Sequence, residues 1–335
     1  MSTKVIDLHC DSVFSLIAGK DLRQPVQDVH VDLPRLRAGN VGLQVFAAYV
    51  PPNTAEDQAF AYTIERLNAI DAFALSDDFL APVENALELQ AILDTDKVGI
   101  MAAVENGLAI ENSLEKLEAL RRCKVRILTL VHSEHLNWVT SCTGTGNTQD
   151  GLSSFGEQVI DAMNDLRIIP DISHSSEKAF WDVLKRSKKP IIASHSCAWH
   201  FCGAARNLKD DQLKALGDSG GLAAVNFFNA FLSEDFRLQY TSAKEKSIEK
   251  PETTCSTVKQ SIIADHIEYM LNLAGEDCIA LGSDFDGISA APEGVTGSDF
   301  YPTLETELRA RGYSDKRIKK IFYANFHRIL EEWDK

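Results

Sequence analysis

The chain has 335 residues, of which 44% are hydrophobic and 25% are charged, and its formal net charge is −15. This composition is ordinary for a soluble globular protein with a substantial buried core. So acidic a chain lacks the broad positive surface that binds nucleic acids or anionic membranes, and we expect neither partner. An anionic substrate is not excluded, because one Arg or a metal ion can dominate the charge of its own pocket.

The cysteines and the N-terminal segment bear on the compartment. Seven cysteines with no CxxC pair indicate reduced thiols rather than a disulfide framework in so long a chain. The first twenty residues lack the long apolar segment and small-residue cleavage site of a signal peptide, and no run approaches 18 apolar residues. We therefore expect a cytoplasmic protein.

Short apolar runs alternate with longer amphipathic segments along the chain. Several of the runs are continuously apolar, which is typical of parallel strands covered on both faces. The predicted strands are Val5–Leu8, Leu43–Val50, Val98–Val104, Val125–Val131, Ile168–Ser173, Pro190–Ser194, Gly221–Phe227 and Cys278–Ser283. The predicted helices are Ala55–Leu75, Ala86–Leu93, Ser113–Arg121, Phe155–Leu166, Glu177–Lys185, Asp210–Leu216, Ser256–Leu273 and about Ser314–Trp333.

Eight strands alternating with helices predict a (β/α)8 barrel, with a doubly wound open sheet as the alternative. We find no internal repeat and no linker, so we predict one catalytic domain over residues 1–335. Two long loops, at about 133–154 and 229–254, are expected on the active-site face. The first is Gly-rich but lacks the GK[ST] ending of a phosphate-binding P-loop. The second carries aromatic residues among charges, which suits a lid, a subunit contact or a solvated insertion.

Metal-ligating side chains stand at the ends of several predicted strands. His9 and Asp11 are two residues apart on an extended segment, so both point to the same side. Glu105, His174 and His195 each end a further strand. The C-terminal ends of barrel strands meet at one rim, so these side chains predict a metal site there. Three imidazoles and two carboxylates exceed the needs of one four-coordinate catalytic zinc, and they suit two metals sharing Glu105 as a bridge.

The last predicted strand ends in two carboxylates, Asp284 and Asp286. Asp284 is nearer the strand end, and we predict that it accepts the proton of a metal-bound water, whose pKa the metal lowers toward about 7. Asp286 is the fallback, although a turn residue before Gly287 is the favoured interpretation.

Seven of these motifs together resemble the membrane (renal) dipeptidase family, peptidase family M19, of the amidohydrolase superfamily. They are His9-x-Asp11, Ala-Val-Glu105-Asn-Gly, Leu-Thr-Leu-Val-His132-Ser, Asp-Ile-Ser-His174, Ala-Ser-His195-Ser, Ala-Arg206-Asn-Leu and Gly-Ser-Asp284-Phe-Asp-Gly. The resemblance covers nearly the whole chain. Its most direct implication is a zinc dipeptidase.

The resemblance also implies a role for each motif residue. Two zinc ions per subunit would be held, one by His9, Asp11 and Glu105, the other by Glu105, His174 and His195. A bridging hydroxide would attack the peptide carbonyl, with Asp284 as proton shuttle.

The substrate side of the site is implied in the same way. His132 would polarise the scissile carbonyl, Arg206 would bind the free C-terminal carboxylate of a dipeptide, and Tyr49 would contact the substrate. A C-terminal D-residue would be tolerated, and a homodimer is expected.

Two segments depart from the family pattern, the one after His132 and residues 198–204. Both border the substrate, so the sequence does not predict which substrate side chains the enzyme prefers. A hydrolase of a lactone or non-peptide amide is the alternative that keeps the same site. A metal-binding scaffold without catalysis is a third hypothesis, disfavoured because every expected ligand and the proton shuttle are present.

Overall fold

Eight parallel strands close into a barrel in the computed structural model of the protein, which describes residues 3–335. The described residues form nine strands, of which all but β3 belong to the barrel: Val5–Cys10 (β1), Val41–Tyr49 (β2), Leu80–Pro82 (β3), Val98–Glu105 (β4), Ile127–Thr129 (β5), Ile169–Asp171 (β6), Ile192–Ala193 (β7), Leu222–Val225 (β8) and Ile279–Leu281 (β9). The order around the barrel is β1-β2-β4-β5-β6-β7-β8-β9, and β9 pairs back onto β1. This closure confirms the (β/α)8 prediction, and the open-sheet alternative is wrong.

All eight predicted strands are present, and β3 is a ninth that the sequence pattern did not predict. It pairs with the first residues of β4, while β5 pairs with the last three. Its last residue is Pro82, and a proline within a short apolar run argues against a strand.

Helices cover the outside of the barrel. They are Val13–Ile17 (α1), Leu33–Ala38 (α2), Ala59–Ala74 (α3), Ala86–Leu93 (α4), Leu114–Arg122 (α5), Ser154–Leu166 (α6), Glu177–Arg186 (α7), Asp210–Asp218 (α8), Asn229–Leu232 (α9), Glu234–Glu245 (α10), Ser261–Ala274 (α11), Tyr301–Ala310 (α12), Asp315–Lys319 (α13) and Asn325–Asp334 (α14). Asn85, Ser113, Ser153 and Ser176 cap α4 to α7 by accepting a backbone N–H of the first turn. The predicted helix over 314–333 is split, because a π-helical turn at Lys320–Ala324 separates α13 from α14.

The prediction of a loop over 229–254 was wrong. This segment forms α9, α10 and a 3-10 turn at Pro251–Thr254. Ser233 caps α10, and Phe236 and Ala243 bury its apolar side, so the segment has its own small core. The sequence did not predict α10, because polar and charged residues surround the two residues that it buries. Residues 133–153, by contrast, contain no named helix or strand in the part of the chain that the structure describes.

The barrel interior is filled below the site by alternating apolar side chains. Ile6 and Leu8 of β1 and Val45 of β2 point inward, and Phe326 and Trp333 of α14 pack against the same cluster. The indole N–H of Trp333 donates to the carbonyl of Pro190 (2.8 Å). Packing of this kind leaves the opposite, C-terminal rim of the strands as the face where polar side chains converge. Within residues 3–335, no helix has the length and apolar character that crossing a membrane requires.

Candidate active site

The predicted site residues meet at the C-terminal rim of the barrel. His9 lies on β1, Tyr49 ends β2 and Glu105 ends β4. His132, His174, His195, Arg206 and Asp284 follow β5, β6, β7, β7 and β9, respectively. The structure therefore places every one of them on one face.

Glu105 stands between two sets of ligand atoms. On one side, His9 Nε2 lies 3.6 Å from Glu105 Oε2 and 3.6 Å from Asp11 Oδ2. On the other, Glu105 Oε1 lies 3.0 Å from His174 Nε2 and 3.4 Å from His195 Nε2. Each carboxylate oxygen thus faces different imidazoles, and Glu105 is only 3% exposed. We call the side of His9 and Asp11 the first cluster and the side of His174 and His195 the second. The two clusters adjoin, since the rings of His9 and His195 stack at 3.8 Å between centroids.

The donor set fits metal ions. His9 Nε2 is buried without a hydrogen-bond partner among the described residues, although nitrogen and oxygen ligands surround it. Burial lowers the pKa of His174 well below its ordinary value and that of His195 to about 3, so both rings are neutral at pH 7 and can act as ligands. Neutral imidazoles with carboxylates suit zinc and similar divalent ions.

Asp284 lies at the edge of the first cluster. Its Oδ1 is 4.0 Å from His9 Nε2, and its Oδ2 accepts a hydrogen bond from Asn226 Nδ2 (2.8 Å). The backbone of Asp284 is left-handed (φ 64°), a conformation that is costly for a residue other than glycine. Burial raises its pKa well above the ordinary value.

Asp286, the fallback, is engaged elsewhere. Its Oδ1 accepts the backbone N–H of His30 (2.6 Å), and its Oδ2 accepts the hydroxyl of Ser12 (2.5 Å). A side chain tied on both oxygens holds a turn. Gly287 is required there, since a Cβ would lie 2.0 Å from Asp11 Oδ2.

His132 and Tyr49 border the second cluster. The ring of His132 lies 4.1 Å from that of His174 and 4.7 Å from that of Tyr49, centroid to centroid. Nδ1 of His132 is buried without a hydrogen-bond partner among residues 3–335, and burial lowers the pKa of this ring. Burial also raises the pKa of Tyr49, so its hydroxyl stays protonated.

Arg206 is a buried cation that contacts neutral groups. Its Nη2 donates to the His195 carbonyl (3.2 Å) and its Nη1 to Ser196 Oγ (3.4 Å), and its guanidinium lies over Phe231 at 5.4 Å. Nε has no hydrogen-bond partner among the described residues, and no carboxylate there lies within ion-pair distance. A guanidinium buried in this way can bind an anion in two parallel hydrogen bonds.

One cavity of about 750 Å³ is lined by seven of the predicted site residues, Asp11, Tyr49, Glu105, His132, His174, Arg206 and Asp284. Both segments predicted on the active-site face contribute, the first through Ser133 and Thr143, the second through Phe231 and Tyr240. A cavity of this volume is of the size that binds small organic molecules.

Three buried residues were missed from the sequence. Asn226 donates to Asp284, Asp171 accepts the hydroxyl of Ser194 beside His195, and Asp7 accepts the phenol of Tyr301 on α12; none of the three has exposed surface. Each follows or ends an apolar run, which is the signal that could have found them. Inside a strand, however, a lone Asp gives no sign of its partners.

The sequence model of the membrane dipeptidase family, peptidase family M19, matches residues 1–335. Dipeptidase 3 of Mus musculus is 28% identical over 341 residues, which cover 98% of this chain and 64% of the mouse protein. A protein from the pqqA 5' region of Klebsiella pneumoniae is 40% identical over 191 residues, covering 57% of this chain and 64% of that protein. The chain thus spans somewhat less than two thirds of the length of the mouse relative.

Two solved structures share the fold. A metallopeptidase from Rhodobacter sphaeroides, liganded with a phosphinate mimic of L-Ala-D-Ala, superposes with a TM-score of 0.87 at 24% identity over 99% of both chains. The probable dipeptidase PvdM from Pseudomonas aeruginosa gives a TM-score of 0.88 at 20% identity, over 99% of this chain and 95% of that one.

The fold and the site define the class, a (β/α)8 barrel with a cluster of metal-ligating side chains at its mouth. Within that class, the chain belongs to the membrane dipeptidase family, peptidase family M19. The family resemblance seen in the sequence motifs is thereby confirmed.

Proposed function

We propose that the protein is a metal-dependent dipeptidase that holds two divalent ions, with zinc the first candidate. One ion would be held by His9, Asp11 and Glu105, and the other by Glu105, His174 and His195. The observation that carries this proposal is the position of Glu105, whose two oxygens face separate sets of ligand atoms at 3.0 to 3.6 Å. One ion would leave half of these buried polar atoms uncompensated.

Divalent ions held there would polarise a substrate carbonyl and acidify a water molecule. Asp284 accepts the proton of the attacking water at Oδ1 and returns it to the leaving amine, while Asn226 holds Oδ2. His132 donates a ring N–H to the carbonyl oxygen as negative charge develops on it.

Arg206 binds the free carboxylate of the substrate. The unpartnered Nε and the burial of the guanidinium support this role, because the cation would otherwise lack an anion. Recognition through the carboxylate and the scissile carbonyl leaves the C-terminal side chain loosely constrained. We therefore propose that a C-terminal D-residue is accepted.

The test is hydrolysis of three matched substrates by protein loaded with zinc, manganese or cobalt. They are an L-Ala-L-Xaa dipeptide, its L-Ala-D-Xaa isomer and the corresponding C-terminal amide. We expect cleavage of both dipeptides and refusal of the amide. Cleavage of lactones but of no dipeptide would contradict the proposal and favour the alternative hydrolase.

Two further proposals concern the cellular location and the oligomeric state of the protein. We propose a cytoplasmic protein, tested by cell fractionation, and a homodimer, tested by light scattering on the purified chain. The preferred metal follows from the activity of separately loaded samples.

A further inference from the structure

A buried hydrogen-bond chain leads from Asp171 to one of the ligand imidazoles. We propose that Asp171 and Ser194 fix the tautomer of His195, so that its Nε2 presents a lone pair to a metal ion. Both are positioning residues, since they act through His195. The inference rests on the proposed function, because it assumes that His195 is a ligand.

Asp171 is fully buried and accepts four hydrogen bonds. Its Oδ1 accepts the backbone N–H groups of Ser173 (3.0 Å) and Ser194 (2.9 Å). Its Oδ2 accepts the hydroxyls of Thr129 (2.5 Å) and Ser194 (2.6 Å). Four donors on two oxygens leave this carboxylate as an acceptor only.

The single hydroxyl hydrogen of Ser194 decides the tautomer of His195. Ser194 Oγ also lies 2.7 Å from His195 Nδ1. Because the hydroxyl hydrogen points to Asp171, Ser194 Oγ can only accept from the ring, so Nδ1 carries the proton. The neighbouring Ser173 Oγ is 3.5 Å from Ser194 Oγ, too far to compete with the bond to Asp171.

With the proton on Nδ1, the other ring nitrogen of His195 is free to coordinate. Nε2 lies 3.0 Å from His174 Nε2 and 3.4 Å from Glu105 Oε1. A hydrogen-bonded partner on the far ring nitrogen is the usual way in which proteins orient a histidine ligand and fix its tautomer.

A matching network that does not reach an imidazole provides the control. Asp7 is also fully buried, and its Oδ1 accepts the backbone N–H groups of Ser283 (2.8 Å) and His9 (3.3 Å). Its Oδ2 accepts the hydroxyls of Ser283 (2.6 Å) and Tyr301 (2.6 Å). Of these two similar carboxylate networks, that of Asp171 reaches an imidazole nitrogen and that of Asp7 does not.

Asp171→Asn should invert the tautomer. The amide oxygen can keep both backbone N–H bonds, while the NH₂ replaces Oδ2 and donates to Ser194 Oγ. The Ser194 hydroxyl then turns and donates to His195 Nδ1, so the one ring proton moves to Nε2 and blocks coordination. Asp7→Asn makes the same chemical change with no ring to invert.

The experiment measures metal affinity and ring protonation in the full-length protein. Chelator-treated wild type, Asp171→Asn and Asp7→Asn are titrated with Zn²⁺ against a chromophoric competitor, and the histidine ¹⁵N shifts of the metal-free proteins are recorded by NMR. For Asp171→Asn we expect an Nε2–H signal for His195 and an affinity for one of the two ions about 10- to 100-fold weaker. For Asp7→Asn we expect wild-type affinity for both ions.

A second pair of variants covers the event that Asp171→Asn fails to fold. Ser194→Ala removes the acceptor of Nδ1–H, and Ser283→Ala is its match in the Asp7 network. Equal affinity in Ser194→Ala and wild type, or equal weakening in Ser194→Ala and Ser283→Ala, would overturn the inference. Fewer than two ions bound by wild type would instead contradict the proposed function.

Discussion

Asp7 on β1 and Asp171 on β6 are buried carboxylates that make nearly the same hydrogen bonds. Each accepts two backbone N–H groups and two hydroxyls, and neither has exposed surface. They differ in what the hydroxyl chain reaches. From Asp171 it leads through Ser194 to His195, whereas from Asp7 one hydroxyl is the phenol of Tyr301 on α12.

The two carboxylates also differ electrostatically. Burial raises the pKa of Asp7, and its hydrogen bonds only partly offset that effect. Burial acts the same way on Asp171, but the nearby His195 ring and the hydrogen bonds from Ser194 and Thr129 outweigh it, so its pKa is lowered. A buried Asp on a strand can therefore stabilise the scaffold or orient a metal ligand, depending on the group that its chain of hydrogen bonds reaches.

The largest effect is expected at Asp284. The residue before it, Ser283, donates its backbone N–H and its hydroxyl to Asp7. Asp284→Asn should keep the metal ions but lower kcat by about 10²- to 10⁴-fold, because an amide cannot accept the proton. Steady-state kinetics with metal analysis checks this. Asp286→Asn is the matched control, and a crippled Asp286→Asn beside a mildly affected Asp284→Asn would reverse the assignment.

A variant of Arg206 tests the side of the site that contains His195, since the Arg206 guanidinium donates to the His195 carbonyl. Losing a buried charged contact to the substrate should cost about 2–5 kcal/mol, seen mostly in kcat/KM. The measurement compares Arg206→Ala with wild type on a dipeptide. Wild-type enzyme that cleaves acid and amide equally well would remove Arg206 from the substrate site.

His266 offers a third buried network, in which backbone groups alone fix a ring. Its Nδ1 accepts the N–H of Ala198 (3.1 Å), its Nε2 donates to the carbonyl of Leu232 (3.0 Å), and burial lowers its pKa to about 4. Between that pH and about 6.5 the unfolded state binds more protons, so stability rises with pH through this window.

The predicted contribution of His266 is about 3 kcal/mol, complete above pH 6.5 and lost as the pH falls toward 4. Denaturant unfolding of wild type and His266→Gln across this range measures it. The wild-type advantage should shrink with acid, and parallel pH curves for the two proteins would refute the assignment.

Tyr301→Phe gives the smallest expected effect and sharpens the contrast between the two carboxylates. Removing the phenol that donates to Asp7 (2.6 Å) should lower the free energy of unfolding by about 1.5–3 kcal/mol. The zinc content of the folded protein should stay unchanged, because no ligand imidazole is in that network. Loss of zinc in this variant would make the two networks equivalent.

Much of the fold and the ligand set could be predicted from the sequence. Buried parallel strands are continuously apolar, and His9, Glu105 and His195 stand where those runs end. Helix α10 could not be predicted in the same way, because its charged outer face masks the few apolar residues it buries. The partners of Asp171 were also out of reach, since its hydrogen bonds join residues from three strand ends far apart in the chain.

We propose that Glu105 joins two metal sites in one active enzyme. The most direct measurement is elemental analysis of purified, active protein beside its specific activity, before and after chelation. We expect two divalent ions per chain, loss of activity when they are removed, and recovery when two equivalents are restored. Full activity with one ion or none per chain would contradict it.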